Sequence, residues 1–287
     1  MNPHDRNPGK PGPSRTAEGV AAIRAIESSL PEDARICYDP YAIRFVTPAR
    51  LAGVATQIDR EFPGLRNKIV ARVRYFDDTV REAAGNGFGQ LVIMGAGFDT
   101  RAYRIRELRS LRVFEIDQQD TQRFKKEKVR EIFGGLPDHV EYIAVDFEAG
   151  DLGERLLRSG YSPAKKTLFV LEGVIMYLTP PAVDSTLSFI VRDSGRGSAI
   201  LFDCPVESGG EAASPLGVPR KFHDHVARGG EPIRFAIPSE GAESFLKERG
   251  FSRVHAVTDE EIRERYFQGA AQGRKFSRVS FVHAVTR

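Results

Sequence analysis

At 287 residues, 41% hydrophobic and 28% charged, the chain can bury the core of one large domain, and no disorder class fits it as a whole. Its 42 basic and 39 acidic residues leave a net charge of only +3, which is no nucleic-acid footprint. Two widely separated cysteines, Cys37 and Cys204, fit neither a zinc spacing nor a disulfide framework, and suit a reducing cytoplasm.

The first 14 residues, MNPHDRNPGKPGPS, are rich in Pro, Gly and Asn and are expected to form a disordered tail. They lack the apolar stretch of a signal peptide. From Thr16 to about Ser29, an apolar stripe of Val20, Ile23, Ala25, Ile26 and Leu30 predicts a helix, with Ser14 or Thr16 as its cap and Pro31 after its end. Asp39-Pro40-Tyr41 reads as a turn into a short helix. A further helix from Leu65 to Ala84 closes at Gly85-Asn86-Gly87.

Beyond it the texture changes. Short apolar runs at Gln90–Met94, Arg112–Ile116, Val140–Val145, Thr167–Leu171 and Ser198–Phe202 alternate with amphipathic stretches at Thr100–Arg109, Gln118–Phe133, Asp151–Ser159 and Pro180–Arg192. That alternation predicts βαβ units and a doubly wound, mostly parallel α/β sheet covered on both faces. Residues 205–237 break the rhythm with glycines and prolines and read as a long irregular insert. A helix at Ser239–Arg249 and strands at Phe251–Val257 and Val279–Val285 bring the strand candidates to seven. The strongest apolar run, Leu168 to Leu178, is interrupted by Glu172 and is too short to span a bilayer. The expected organisation is a tail (1–14) and one domain (15–287), comprising a helical region (15–88), a ligand-binding core (89–204), an insert (205–237) and a C-terminal part of the core (238–287).

Four strand ends carry the chemistry. The first strand runs into Gly95-Ala96-Gly97, where glycines permit a tight turn and close approach of a ligand, and the helix after it exposes N–H groups to an anion. A dinucleotide fingerprint needs a third glycine under the pyrophosphate, and that position is Thr100. The missing glycine argues against a nicotinamide-dependent oxidoreductase, and the absence of Gly-Lys-Ser/Thr excludes a P-loop. S-adenosyl-L-methionine has no pyrophosphate and needs only a modest anion site. The second strand ends in Glu115 and Asp117, both on one face by alternation; either can accept from ribose hydroxyls, and Asp117 is nearer the carboxyl end. Asp146-Phe147 closes the third strand, where the acid can accept from an adenine amino group or simply cap a helix. Glu172 stands alone in apolar sequence after the fourth strand and requires a partner, an arginine or a ligand ammonium. Tyr177 fits the core or the site. The pair in His223-Asp224-His225 reads as loop surface rather than as a base, and two histidines at that spacing make no metal site alone.

The strings Ser14-Arg15-Thr16-Ala17, Asp39-Pro40-Tyr41, Ala71-Arg72-Val73, Gly95-Ala96-Gly97-Phe98-Asp99-Thr100-Arg101, Phe114-Glu115-Ile116-Asp117, Val145-Asp146-Phe147 and Glu172-Gly173-Val174-Ile175-Met176-Tyr177-Leu178 together resemble the leucine carboxyl methyltransferase family, in particular its bacterial branch of O-methyltransferases associated with polyketides. The likeness extends over nearly the whole chain. It implies a class I methyltransferase (Rossmann-like) fold with an N-terminal helical extension and an insert covering the substrate. It implies S-adenosyl-L-methionine as cofactor, bound by Arg15, Arg72, Gly95, Gly97, Asp117, Asp146, Phe147 and Glu172. Within that set Arg72 takes the cofactor carboxylate, Asp117 the ribose, Asp146 and Phe147 the adenine and Glu172 the amine. Phe147 departs from the leucine more usual in that branch, a change of packing against adenine. The expected reaction is methyl transfer to a carboxylate or hydroxyl oxygen of a small molecule in the cytoplasm, with no metal, nucleic acid or membrane involved. A non-catalytic nucleotide-binding protein on the same fold is the remaining alternative. Sequence assigns no catalytic residue, methyl acceptor or oligomeric state.

Overall fold

A computed structural model describes residues 12–149, 151–207, 214 and 216–287. Its centre is one seven-stranded sheet built from β1 (Gln90–Met94), β2 (Arg112–Asp117), β3 (Val140–Ala144), β4 (Thr167–Leu171), β5 (Ala199–Asp203), β6 (Phe251–Ala256) and β7 (Phe281–Thr286). The order is β3-β2-β1-β4-β5-β7-β6, with β7 antiparallel to both neighbours and the first five strands parallel. The predicted doubly wound, mostly parallel fold is therefore present. Residues along each inner strand alternate between two cores: Leu91, Ile93, Val113, Val170 and Leu201 face one, and Val92, Met94, Phe114, Phe169 and Phe202 the other. Burial on both faces is why these strands read as unbroken apolar runs. Sheet order reverses between β1 and β4, and ligands of such sheets sit at the carboxyl ends around that point.

Helices α1 (Arg15–Ser28), α2 (Pro48–Glu61) and α3 (Leu65–Gly85) precede the sheet. Ser14 caps α1, its hydroxyl accepting from Ala17 N–H at 3.1 Å. Thr47 caps α2, with Pro48 at its first position. A short 3-10 turn, Ala42–Phe45, follows Asp39-Pro40-Tyr41 as predicted. Helix α2 was not anticipated; its apolar positions are mostly shallow, and only Val54 is buried.

The predicted helix over Thr100–Arg109 is broken: α4 spans Arg101–Arg104, Ile105 is extended, and a 3-10 turn covers Arg106–Ser110. Ile105, Leu108 and Leu111 are all buried, and their spacing of three suits the tighter turn. The remaining helices are α5 (Gln119–Phe133), α6 (Leu152–Arg158), α7 (Pro180–Arg192), α8 (Arg220–Arg228), α9 (Ala242–Lys247) and α10 (Asp259–Tyr266). Helix α10 was also unforeseen, although Thr258 and Glu261 form its capping box.

The insert is less irregular than predicted. Its ends are held together by Ile237 N–H on the Pro205 carbonyl and Glu207 N–H on the Ile237 carbonyl, both at 2.8 Å. Between them α8 packs Val226 with Met176 and Ile233, close to Phe222 and Tyr177. Of the predicted tail, residues 1–11 lie outside the described residues. Ser14 is held in place rather than trailing, since its N–H donates to Thr121 Oγ1 at 3.1 Å and its hydroxyl to Glu231 at 2.7 Å.

Candidate functional site

The chain leaves β1 through Gly95 and Gly97, both at positive φ (64° and 42°). A Cβ on Gly95 would lie 2.3 Å from Val174 Cγ2, so only glycine fits this turn as it stands. The turn is tied to β2: Gly97 N–H donates to Asp117 Oδ2 at 2.5 Å, and Gln118 N–H donates to Asp117 Oδ1 at 2.7 Å. Burial raises the Asp117 carboxyl above its ordinary value, and the two backbone donors oppose that rise. Asp117 lines the cleft above the sheet. Glu115 does not; it is buried, paired with Lys125 at 2.8 Å and bonded by the Tyr103 hydroxyl at 2.9 Å. Of the two acids that alternation puts on one face of β2, Asp117 is the one that reaches the cleft.

At the end of β3, Asp146 is exposed and accepts from Glu148 N–H at 3.0 Å, so the capping role is real. Half-buried Phe147 packs on the core beneath it. Both residues line the cleft.

Glu172, after β4, finds two arginines: Arg72 Nε at 3.0 Å and Arg101 Nη1 at 2.6 Å. Arg72, on α3, also reaches Asp203 at the end of β5 at 2.7 Å, and Asp203 accepts from Gly173 N–H at 2.6 Å. Burial works against the Arg72 charge, but Asp203 and Glu172 outweigh it and raise the guanidinium further. Arg101 bonds Asp77 at 2.7 Å and Asp99 at 2.6 Å; Arg104 bonds Asp77 at 2.5 Å; Arg24 bonds Asp39 at 2.9 Å. Arg104 Nε stands 3.9 Å from Asp39 and closes the series. Oppositely charged groups thus run without a gap from α1 to the end of β5, all of them buried or nearly so. Buried charges persist only when paired and hydrogen-bonded, which this series provides.

Sequence reasoning missed Asp203, Asp77, Arg24 and Arg104. Two of them left a signal. Asp203 ends an apolar strand as Glu172 does, and Asp77 interrupts the stripe Val70, Val73, Val80 at helical spacing.

The roof comes from α1, α2 and the insert. Glu231 of the insert accepts from the hydroxyls of Ser14 and Thr16; burial raises its carboxyl, and the Ser14 bond opposes the rise. Arg15 is exposed at the cleft edge. His223 to His225 belong to α8 rather than to a loop. His223 pairs with Asp224 at 3.4 Å, whereas His225 lines the cleft 5.3 Å from the Phe62 ring. Beside it Arg15, Arg50 and Arg228 surround a side cavity of about 180 Å³. Half-buried Tyr177 lines the main cleft, and burial raises its phenol. That cleft measures about 1570 Å³ and is lined by every predicted ligand-binding residue: Arg15, Arg72, Gly95, Gly97, Asp117, Asp146, Phe147 and Glu172. Among the described residues no group of three or more His, Cys, Asp or Glu is placed to hold a metal, and no helix is long and apolar enough to cross a membrane.

Comparison with known proteins gives matches at three levels. The family model "Leucine carboxyl methyltransferase" matches residues 17–191. Relatives include "Putative S-adenosyl-L-methionine-dependent methyltransferase YktD" of Bacillus subtilis, 29% identical over 76% of this chain and 72% of that protein. Another, "Putative S-adenosyl-L-methionine-dependent methyltransferase FRAAL3836" of Frankia alni, is 34% identical over 67% of this chain and 69% of its own length. Among solved structures, a DUF574 family protein from Streptomyces avermitilis aligns with a TM-score of 0.64 at 14% identity, covering 96% of this chain and 98% of that one. The crystal structure of "a putative methyltransferase from Thermobifida fusca" aligns at 0.63 and 13%, covering 98% and 97%. At these identities the structural likenesses bear on the fold.

Proposed function

The chain belongs to the leucine carboxyl methyltransferase family, and from that premise we propose that it methylates a carboxylate or hydroxyl oxygen of a small molecule. It is an S-adenosyl-L-methionine-dependent methyltransferase. The observation that carries the reading is the convergence of Asp117, Asp146, Glu172 and Arg72 on one cleft beside the Gly95–Gly97 turn.

The residues present fit the cofactor. Arg72 spends Nε and Nη1 on Glu172 and Asp203, which leaves Nη2 without a partner among the described residues. Gly173 keeps that guanidinium uncovered, because a Cβ there would stand 3.4 Å from both Nη atoms. Arg72 is thus open to a carboxylate in the cleft. Each oxygen of Glu172 accepts one arginine and retains a second lone pair for an ammonium. Asp117 has the same spare capacity for ribose hydroxyls, and Asp146 and Phe147 offer an acceptor and an aromatic face to adenine. Arg15 stands at the edge of the same cleft.

When bound, the cofactor supplies an electrophilic methyl group on a sulfonium. The chain's own part is to orient the acceptor and exclude water. An ionised oxygen needs no base; a hydroxyl needs one within hydrogen-bond reach, and His225, Tyr177 and Glu231 are among the titratable side chains that line the cleft. Burial lowers the His225 imidazole, with Glu61 opposing, which favours its neutral, proton-accepting form.

The test is calorimetric titration with S-adenosylhomocysteine. Wild type binds it, and Asp117→Ala weakens binding about 10- to 100-fold, the scale of a lost charge-assisted hydrogen bond. An unchanged affinity in the variant removes Asp117 from the ribose, and no heat at millimolar ligand removes the cofactor reading.

A further inference from the structure

Helix α3 turns one face to the cleft: Leu65, Lys68, Ile69 and Arg72, spaced i, i+3, i+4 and i+7. Two of these four are cations one turn apart, a placement that is unfavourable unless each charge is compensated. Arg72 is compensated twice. Lys68 is not: its ammonium makes no ion pair and no hydrogen bond with any described residue. The acids nearest to it in charge are Asp203 and Asp259, and both are engaged. Asp203 serves Arg72 and Gly173 N–H, and Asp259 accepts from Val279 N–H at 2.8 Å. Arg72 and the buried Cys204 also act on its charge. Burial lowers the Lys68 ammonium below its ordinary value, with Asp203 opposing.

Lys68 lies apart from the ribose and adenine residues of the cleft, one turn along α3 from Arg72. Asp117 and Asp146 stand over β2 and β3, on one side of β1 in the sheet. Lys68 neighbours Asp203 at the end of β5, on the other side. The walls there are apolar: Phe62, Leu65, Ile69, Met176, Phe222 and Val226 all line the cleft, and Phe62 meets Phe222 edge-on at 5.6 Å. The rim beyond Phe62 carries Arg50 and Arg228, with Glu61 beside His225. A half-buried ammonium without a partner, in apolar walls, is a place for one negative oxygen.

We propose that Lys68 is the specificity-determining residue of the acceptor side, binding the anionic oxygen of an apolar-bodied acceptor; this rests on the methyltransferase reading above. Phe62, Leu65 and Ile69 take the apolar body, and Lys68 ranks acceptors by charge. A neutral molecule of the same shape covers the ammonium without pairing it, and is rejected on that account.

The experiment uses the full chain with S-adenosylhomocysteine present and 11-(dansylamino)undecanoic acid as a fluorescent reporter. Decanoate competes against decanamide, and 2-naphthoate against 2-naphthamide. In wild type at least one acid displaces the reporter about 10- to 100-fold better than its amide. The gap closes in Lys68→Met and persists in Lys68→Arg, which keeps the charge and controls for packing. Absence of reporter binding, equal competition by acid and amide, or a gap that survives in Lys68→Met overturns the proposal. S-adenosylhomocysteine titration of both proteins separates the two readings. Affinity retained in Lys68→Met places the lysine outside the cofactor half, and no affinity in wild type overturns the methyltransferase reading itself.

Discussion

Gly95→Ala tests the turn at the head of β1 most directly. The new Cβ would stand 2.3 Å from Val174 Cγ2 and 3.1 Å from Val174 Cγ1. Valine is β-branched and short, so those methyl groups cannot swing away without moving the backbone after Gly173. Overpacking of this kind costs about 1–3 kcal/mol. Independently, φ of +64° at this residue costs an alanine about 1–2 kcal/mol. The sum is about 2–5 kcal/mol, within reach of a domain whose total stability is about 5–15 kcal/mol. The variant should therefore fold and unfold at lower urea. The chain has no tryptophan, so the transition is followed by far-ultraviolet circular dichroism. The two terms are separable because Val174→Ala removes both clashing methyl groups. In that background Gly95→Ala should cost mainly the conformational part, about 1–2 kcal/mol, because the remaining Cβ of residue 174 stands 3.3 Å away. An equal penalty in both backgrounds would refute the steric argument.

Two further outcomes follow from the buried charges. Arg101→Met should destabilise by about 3–5 kcal/mol in the same urea assay, the cost of removing one partner from a buried pair. Asp77 keeps Arg104 and Glu172 keeps Arg72, so Asp99 is the carboxylate left unpaired; Asp99→Asn in that background should restore part of the loss, and no restoration contradicts the assignment. Stability should also fall in two steps as pH drops. Burial lowers the His283 imidazole, with Glu82 opposing and His255 and Arg253 adding to the decrease. The unfolded chain then binds more protons as pH falls through about 6.5, and stability declines from there downward. Burial alone would raise Asp77 and Asp99, but Arg104 and Arg101 reverse this and hold both below the ordinary value. Their contribution is present above about pH 4 and is lost below it. Thermal midpoints from pH 8 to 3 check both steps, and a midpoint that stays level between pH 7 and 5 contradicts the first.

The sheet was legible because its inner strands are buried on both sides and announce themselves as apolar runs. The strand-end groups were legible for the same reason: Gly95, Asp117, Asp146 and Glu172 each stop such a run. What escaped was set by contacts distant in sequence. Arg72 meets Glu172 and Asp203 across 100 and 131 positions, and no local pattern pairs them. Asp77 did stand in an apolar helical stripe, the mark of a buried acid with a partner elsewhere. The unforeseen α2 and α10 carried start signals, Thr47-Pro48 and Thr258 with Glu261; α10 has little apolar periodicity, whereas Leu51, Val54 and Ile58 of α2 do keep helical spacing and were passed over. His225 was misplaced because glycines and prolines around α8 suggested a loop, although Phe222, His225 and Val226 already keep helical spacing. Which of Glu115 and Asp117 reaches the cleft depends on the depth of each residue in β2, which alternation alone does not give.

The run of alternating charge from Arg24 through Asp39, Arg104, Asp77, Arg101, Glu172 and Arg72 to Asp203 also bears on how such a sequence can diverge. Each member has a charged neighbour on one side or both, so the effect of a substitution depends on what its neighbours already are. Drift at these eight positions should proceed by compensated pairs or stall, whereas the exposed faces of α2 and β6 should tolerate changes one residue at a time. The wall of the cleft should therefore change as a block, while the insert above it is free of that constraint.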